Sequence, residues 1–137
     1  MNQSSEQENL TSRGQRVLVI DDSESTAAAL ATVLRRGGYD VRVCYSGGAA
    51  LSAAVEAAPD AVLVDIHLPD INGLIVSQKL RETLGPSVPI IAVSGDTSME
   101  NLNALAHVGA TYFLSKPLSA THLLERLKEW CPLPDAA

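Results

Sequence analysis

Long hydrophobic runs, basic charge and paired cysteines are all scarce in this sequence, and each shortage argues against a class of protein. No apolar stretch approaches the ~20 residues that a membrane-spanning helix needs, and the polar, acidic N-terminus is unlike a secretory signal. A formal net charge of −6 argues against nucleic acid as a partner. Cys44 and Cys131 form no C-x-x-C motif, so buried free thiols are favoured over a disulfide. We therefore expect a cytoplasmic protein.

The length and composition predict one folded domain. The chain has 137 residues, of which 46% are hydrophobic and 19% are charged, enough for a single domain with a real core. Residues 1–14 are rich in Ser, Gln, Asn and Glu and are expected to form a disordered lead-in. The domain is expected to cover 15–131. Residues 132–137 would form a short tail, because Pro132 and Pro134 forbid continuation of the last helix.

Five predicted strands alternate with five predicted helices. The strands are expected at 16–20, 40–44, 61–65, 89–93 and 111–114. The helices are expected from Ser23 or Ser25 to 36, at 48–58, from Ile71 or Asn72 to 84, from a cap at Ser98 to 108 and from a cap at Ser119 to 130. The inner face of the second helix is predicted to carry Leu51, Ala54, Val55 and Ala58. This alternation predicts an α/β fold, a doubly wound parallel sheet with helices on both faces.

Polar side chains that suit phosphoryl chemistry follow four of the predicted strands. Asp21 and Asp22 come after the first strand, Asp65 ends the third, Ser94 follows the fourth and Lys116 follows the fifth. The carboxyl ends of parallel strands share one edge of the sheet, which is where open α/β folds keep their sites. Three carboxylates in one pocket are costly unless they share a cation or a proton. The sequence therefore predicts a divalent metal, and oxygen ligands favour Mg²⁺.

Each residue of this set has a plausible chemical task. The Asp65 carboxylate can attack a phosphoryl group in line and form an acyl phosphate. Lys116 offers a compact positive charge to a phosphoryl oxygen, and the Ser94 hydroxyl offers a hydrogen bond. Asp21 and Asp22 taken alone could be no more than the acidic entry turn of a helix. The sequence contains no P-loop, no G-x-G-x-x-G and no Ser-His-Asp order.

These motifs together resemble the receiver domain of bacterial two-component response regulators. The resemblance covers about residues 16–130, and its motifs appear in the order and spacing of that family. They are Asp21-Asp22, Asp65 with Pro69 and Gly73, Ser94-Gly95 and Lys116-Pro117. The resemblance implies a flavodoxin-like (βα)5 fold whose strands lie in the order 2-1-3-4-5.

The resemblance also implies a role for each site residue. Asp65 would be the phosphoacceptor. Mg²⁺ would be bound by the side chains of Asp22 and Asp65, by Asp21 through a water, and by the backbone carbonyl of His67. Ser94 would be the switch hydroxyl and Phe113 the switch aromatic, and the Lys116–Pro117 bond would be cis. Because Phe113 lacks a hydroxyl, the switch would depend on packing alone.

The implied function is signalling, with no enzymatic activity beyond Mg²⁺-dependent self-phosphorylation from a donor and self-dephosphorylation. A histidine kinase or a histidine phosphotransfer domain would be the donor. A downstream protein would bind the face formed by helix four, strand five and helix five, and no output domain is expected. Two alternatives stay open: a small phosphohydrolase with a strand-end Asp nucleophile, and a phosphate-independent pseudo-receiver. The sequence does not separate a stand-alone protein from a piece of a hybrid kinase or larger regulator.

Other polar and aromatic residues have simpler interpretations. The side chain of His67 is expected over the mouth of the site, where it and Asp96 could tune the access of water to an acyl phosphate. His107 and His122 are expected on the surface of their helices. Trp130 is expected to contribute to the core.

Overall fold

Strands and helices alternate strictly along the part of the chain that the structure describes. The structure is a computed structural model, and it describes residues 15–134. In that range the strands are β1 (Arg16–Ile20), β2 (Asp40–Cys44), β3 (Ala61–Asp65), β4 (Ile90–Ser94) and β5 (Tyr112–Ser115). The helices are α1 (Glu24–Arg36), α2 (Gly47–Glu56), α3 (Gly73–Leu84), α4 (Met99–His107) and α5 (Ala120–Trp130). The predicted lead-in at 1–14 and residues 135–137 of the predicted tail lie outside the described residues.

The strands form one parallel sheet in the order β2-β1-β3-β4-β5, which confirms the predicted fold. β1 and β3 end almost level, with Ile20 beside Val64. β4 and β5 end level as well, with Ser94 beside Ser115. Because all the strands run in one direction and stay nearly in step, their carboxyl ends form a single edge of the sheet.

Helices cover both faces of the sheet and create two hydrophobic cores. On one face, Ala53 of α2, Val76 of α3 and Leu105 of α4 pack against the strands. On the other face, Leu34 of α1 and Leu127 of α5 do the same. Every residue of β3 and β4 is buried, as expected for central strands of a parallel sheet that is covered on both sides.

Each described helix begins at a side chain that accepts a hydrogen bond from a backbone N–H of its first turn. These N-caps are Ser23, Ser46, Asn72, Ser98 and Ser119. Ser23, Ser98 and Ser119 agree with caps predicted from the sequence; Asn72 was predicted only as a possible start of its helix, and Ser46 was not predicted. At the other end of α3, the helix stops at Gly85, whose φ of +86° lies in the region that favours glycine.

The predicted inner face of α2 is wrong at Val55, whose side chain is 75% exposed. The buried residues of this helix include Ala50, Ala53 and Ala54, and the helix ends at Glu56 instead of continuing to position 58. Small apolar residues occupy every side of α2, so their periodicity does not select one face. β4 and β5 each begin one residue later than predicted.

The remaining expectations for cysteine and histidine are confirmed. Cys44 and Cys131 are free thiols and both are buried. His107 and His122 are exposed. Each helix within residues 15–134 is too short or too polar to cross a membrane.

Adjacent aromatic residues of β5 point to opposite faces of the sheet. Phe113 packs against the core that contains α2, α3 and α4. Tyr112 packs on the α1 and α5 side, where its ring lies 4.1 Å from the ring of Trp130 with an angle of 6° between the planes. Trp130 is therefore a partly buried member of the second core, and Phe113 is left beside Ser94 and α4.

Candidate functional site

The polar residues selected from the sequence all lie at the carboxyl edge of the sheet. Asp21 and Asp22 directly follow β1, Asp65 is the last residue of β3 and Ser94 is the last residue of β4. Lys116 follows β5, and its backbone N–H donates to the carbonyl of Ser94 at 3.0 Å. The fold thus delivers five polar side chains from four neighbouring strands to one place.

Three carboxylates form a cluster at this edge. Asp21, Asp22 and Asp65 each present an oxygen, and these oxygens lie within 4.8 Å of one another. Asp21 and Asp65 are buried, whereas Asp22 is exposed. Like charges this close destabilise one another, and burial weakens the hydration that would offset their repulsion. The cluster is therefore a place where a cation gains free energy by binding.

Lys116 is fixed on the carboxylate of Asp65. Its Nζ lies 3.0 Å from Oδ1 and 3.0 Å from Oδ2, so one ammonium group contacts both oxygens. Asp65 Oδ1 also accepts the backbone N–H of His67 at 3.0 Å. The peptide bond between Lys116 and Pro117 is cis. These contacts orient the Asp65 carboxylate, while the three acids together still outnumber the single ammonium.

The electrostatic cost of the cluster is expressed in the pKa of Asp21. Burial raises the pKa of the Asp21 carboxyl, and the neighbouring carboxylate of Asp65 adds to the rise. The backbone N–H of Ser23 donates to Asp21 Oδ1 at 2.9 Å and acts in the opposite direction. The positive charge of Lys116 also lowers this pKa, but the net direction is upward. Asp21 is thus held in a site that disfavours its charge.

The donor set fits a hard divalent cation such as Mg²⁺. Mg²⁺ prefers oxygen ligands, keeps several of its waters and commonly takes one or two carboxylates from a protein. The cluster supplies carboxylate oxygens from β1 and β3 that can be approached from the exposed side chain of Asp22. The loop that contains His67 borders the same opening as Asp22. The structure brings Asp21, Asp22 and Asp65 together, and the binding of Mg²⁺ by these residues and by the His67 carbonyl stays a prediction.

A cavity of about 600 Å³ opens beside the acid cluster. Asp21, Asp65 and Lys116 line its polar part, and Leu30 and Leu118 belong to its apolar wall. This volume is within the range of small-molecule sites. Asp65 therefore borders a cavity that is large enough for a small ligand.

Ser94 is buried, and its hydroxyl is hydrogen-bonded to the loop after β4 and to α4. Its Oγ accepts the N–H of Asp96 at 3.0 Å and the Nδ2 of Asn101 at 3.3 Å. Ser94 also lines a small cavity of about 190 Å³, and Phe113 lines the same cavity. The two residues predicted to switch are thus neighbours in one space between β4, β5 and α4. Sequence reasoning missed Asn101, whose only signal is its place in the first turn of α4.

The loop after β3 is tied down by two contacts that the sequence did not reveal. The carboxylate of Asp70 accepts the N–H of Gly47 at 2.9 Å and that of Gly48 at 3.0 Å, and these N–H groups lower the pKa of Asp70. Gly73 passes so close to Ile66 that an added Cβ would lie 2.5 Å from its Cα. The loop that leaves Asp65 is therefore anchored to α2 at one point and closely packed at another.

Comparison with known proteins places the chain among signalling proteins. Residues 17–128 match the family model described as the response regulator receiver domain. The chain is 38% identical over 114 residues to the DNA-binding response regulator MtrA of Mycolicibacterium smegmatis. It is 36% identical over 121 residues to the sensory/regulatory protein RpfC of Xanthomonas campestris. The solved structure of the chemotaxis response regulator CheY4 of Vibrio cholerae matches with a TM-score of 0.80 at 30% identity, over 85% of this chain and 98% of that chain.

The curated relatives are longer than this chain. The match to MtrA covers 83% of this chain and 49% of MtrA, and the match to RpfC covers 85% of this chain and 16% of RpfC. The similarity therefore concerns one domain of each relative. Because MtrA is named as DNA-binding, the expected absence of a nucleic-acid partner stays a prediction for this chain.

Proposed function

The chain belongs to the response regulator receiver domain family, and on that basis we propose that it accepts a phosphoryl group on Asp65. The observation that carries this proposal is the contact of Lys116 Nζ with both oxygens of Asp65, beside Asp21 and Asp22. A buried carboxylate that is oriented by a cation and flanked by two further acids suits phosphoryl transfer better than a structural ion pair. The phosphoryl donor would be a histidine kinase or a histidine phosphotransfer domain.

Magnesium would complete the acidic pocket. We propose that Asp22 and Asp65 bind it through their side chains, Asp21 through a water and His67 through its backbone carbonyl. When bound, Mg²⁺ supplies positive charge that offsets the oxygens of the transferring phosphoryl group. Its affinity falls as Asp21 takes up a proton, because the protonated carboxyl no longer contributes charge.

Transfer would make one bond and break one bond. An oxygen of Asp65 attacks the phosphorus of a phosphohistidine, an O–P bond forms, and the P–N bond to the imidazole breaks. The imidazole keeps the electron pair of that bond and takes a proton from solvent. Lys116, which pairs with Asp65 before transfer, pairs with a phosphoryl oxygen afterwards and limits the charge that accumulates.

The new phosphoryl group would then act on Ser94 and Phe113. An oxygen of that group accepts the hydroxyl of Ser94, which leaves its position beside α4 and makes room for Phe113 in their shared cavity. Because Phe113 cannot donate a hydrogen bond, its rearrangement rests on packing. The surface formed by α4, β5 and α5 changes as a result, and a downstream protein would recognise that change.

Labelling with a small phosphodonor tests the proposal. Incubation with acetyl phosphate and Mg²⁺ should add one phosphoryl group by mass spectrometry, and Asp65→Asn should abolish the addition. Asp40→Asn is the matched control, because this exposed acid at the start of β2 lies far along the sheet from the cluster. Labelling that persists in Asp65→Asn would reassign the acceptor. Continuous release of inorganic phosphate from phosphate esters over many turnovers would instead favour the phosphohydrolase alternative.

A further inference from the structure

A carboxamide on α4 holds the hydroxyl of Ser94 in the structure. Asn101 Nδ2 donates to the carbonyl oxygen of Asp96 at 2.6 Å and to Ser94 Oγ at 3.3 Å. The Asp96 carbonyl fixes the orientation of this carboxamide, because only its NH₂ group can donate to a carbonyl oxygen. Asn101 is the third residue of α4, so its side chain connects the end of β4 to the first turn of the helix.

The single hydroxyl proton of Ser94 is donated within the loop between β4 and α4. Ser94 Oγ donates to the carbonyl of Asp96 at 3.3 Å and accepts the N–H of Asp96 at 3.0 Å. Among the residues that the structure describes, Ser94 makes no side-chain hydrogen bond to Asp65 or Lys116. The hydroxyl must therefore leave its partners in this loop before it can donate to a phosphoryl oxygen on Asp65.

The loop itself is closed by further hydrogen bonds that involve α4. Asp96 Oδ1 accepts the N–H of Ser98 at 3.0 Å, and Ser98 Oγ accepts the N–H of Asn101 at 3.2 Å. Ser94, Asp96, Ser98 and Asn101 thus form one network around the start of the helix. A change at Ser94 reaches α4 directly through Asn101, without passing through the aromatic switch.

We propose that Asn101 is a positioning residue that latches Ser94 in the unphosphorylated conformation. The inference rests on the proposed function, because it requires Ser94 to respond to a phosphoryl group on Asp65. When Ser94 turns towards that group, Asn101 keeps the Asp96 carbonyl but loses Ser94 Oγ, and the Asp96 N–H loses its acceptor. These losses oppose the phosphorylated conformation and so lower the apparent affinity of the domain for any ligand that requires it.

Titration with beryllofluoride in the presence of Mg²⁺ tests the latch. Beryllofluoride stands in for the phosphoryl group, and the NMR signals of Ser94 and Phe113 report the conformational change. Asn101→Ala should reach half-saturation at a beryllofluoride concentration about two- to tenfold lower than the wild-type protein, since one hydrogen bond of the competing conformation is gone. A residue with a purely structural role would leave the affinity unchanged or weaken it.

Two controls isolate the contact with Ser94. Asn103→Ala removes the same side chain from an exposed position two residues further along α4, and it should leave the affinity unchanged. In a Ser94→Ala background, Asn101→Ala should no longer change the affinity, because the partner of the latch is absent. An affinity that is unchanged or lower in Asn101→Ala would overturn the latch. So would an equal gain in the Ser94→Ala background.

A measurement on the wild-type protein keeps the inference testable if Asn101→Ala does not fold. The side-chain NH₂ signals of Asn101 should shift when beryllofluoride saturates the site, while those of Asn103 should stay in place. Signals of Asn101 that do not move while those of Ser94 do would contradict the latch alone. If the wild-type protein does not bind beryllofluoride at all, the proposed function is wrong and the latch is wrong with it.

Discussion

Charged side chains at the two edges of the sheet have opposite surroundings. At the carboxyl edge, Asp21, Asp22 and Asp65 lie together with one ammonium group in contact with Asp65. At the amino edge, the guanidinium of Arg81 makes five hydrogen bonds. Its acceptors are the carbonyls of Gly85, Val88 and Gly109 and the hydroxyl of Thr111. Within residues 15–134, no carboxylate takes part in this second arrangement.

The two edges differ in whether their charged groups stabilise the fold or leave a place for a ligand. Arg81 joins the loop before β4 to the loop before β5 with neutral acceptors that fit the fork of its donors, so its charge is solvated by the protein itself. Burial lowers the pKa of Arg81, but its hydrogen bonds are complete. The acids at the opposite edge are left with mutual repulsion, which a bound cation would relieve. The hydrogen bonds of Arg81 at the amino edge are complete in the folded protein. The acids at the carboxyl edge still lack a cation that balances their charge.

Replacement of Arg81 by methionine should produce the largest loss of stability in this comparison. Methionine keeps much of the apolar stem and removes all five hydrogen bonds, which should lower the free energy of unfolding by about 2–3 kcal/mol. Urea denaturation measures the change, and beryllofluoride binding by the folded variant should be retained. Arg36→Met, at an exposed position in the last turn of α1, is the matched control and should change stability little. An equal loss in both variants would mean that Arg81 acts only through its charge.

Substitution of Gly73 tests whether close packing at the carboxyl edge contributes to stability without a ligand. A methyl group there would lie 2.5 Å from Ile66 Cα and 2.7 Å from its carbonyl oxygen, and these are backbone atoms that cannot rotate away. Gly73→Ala should therefore lower the free energy of unfolding by about 1–3 kcal/mol. Gly95→Ala is the control at the same edge, because no heavy atom lies within 4 Å of an added Cβ. Similar stability of the two variants would show that the loop after β3 adjusts freely.

Removal of the charge of Asp21 should raise the free energy of unfolding instead of lowering it. Asp21→Asn keeps an oxygen that can accept the N–H of Ser23 but removes a charge that the site disfavours. Without Mg²⁺ the variant should be more stable than the wild-type protein. With saturating Mg²⁺ the gain should shrink or reverse, because the ion stabilises the wild-type protein more. Glu125→Gln, on the exposed side of α5, should change neither value; a variant of Asp21 less stable under both conditions would contradict the repulsion argument.

The pH dependence of the stability gained by Asp21→Asn should be the smallest of these effects, and its direction is fixed by the raised pKa of Asp21. The pKa of Asp21 in the folded protein lies above its ordinary value of 3.8. At pH values above the folded pKa the carboxyl is ionised in both states, so the full cost is present and Asp21→Asn gains most. As the pH falls through the folded pKa, the folded wild-type protein takes up the proton first, and the gain shrinks towards zero below about 3.8. Unfolding free energies in EDTA at several pH values measure this, and a gain that grows on acidification would reverse the assignment.

The fold was predictable because its signals are local. Continuous apolar runs identify β3 and β4, serine and asparagine caps identify the starts of four helices, and strict alternation fixes a parallel sheet. The failure at Val55 has a local cause as well. Alanine and glycine fill α2 on all sides, so neither the inner face nor the last turn of that helix is marked in the sequence.

The carboxylates and Lys116 were predictable for a related reason: each lies at or just after the carboxyl end of a strand. Asp70, Arg81 and Asn101 were not, because most of the groups that they contact are backbone N–H and carbonyl groups. Every residue offers a carbonyl and nearly every residue offers an N–H, so a sequence carries no mark that singles out the one that is used. Such contacts depend on how loops approach one another in three dimensions.

The stacked rings of Tyr112 and Trp130 provide an intrinsic fluorescent probe. The chain contains one tryptophan, and its indole lies flat against a side chain of the edge strand next to Phe113. Any displacement of β5 relative to α5 changes the overlap of the two rings and with it the emission of the indole. The intrinsic fluorescence of the unlabelled protein therefore follows the position of β5 relative to α5.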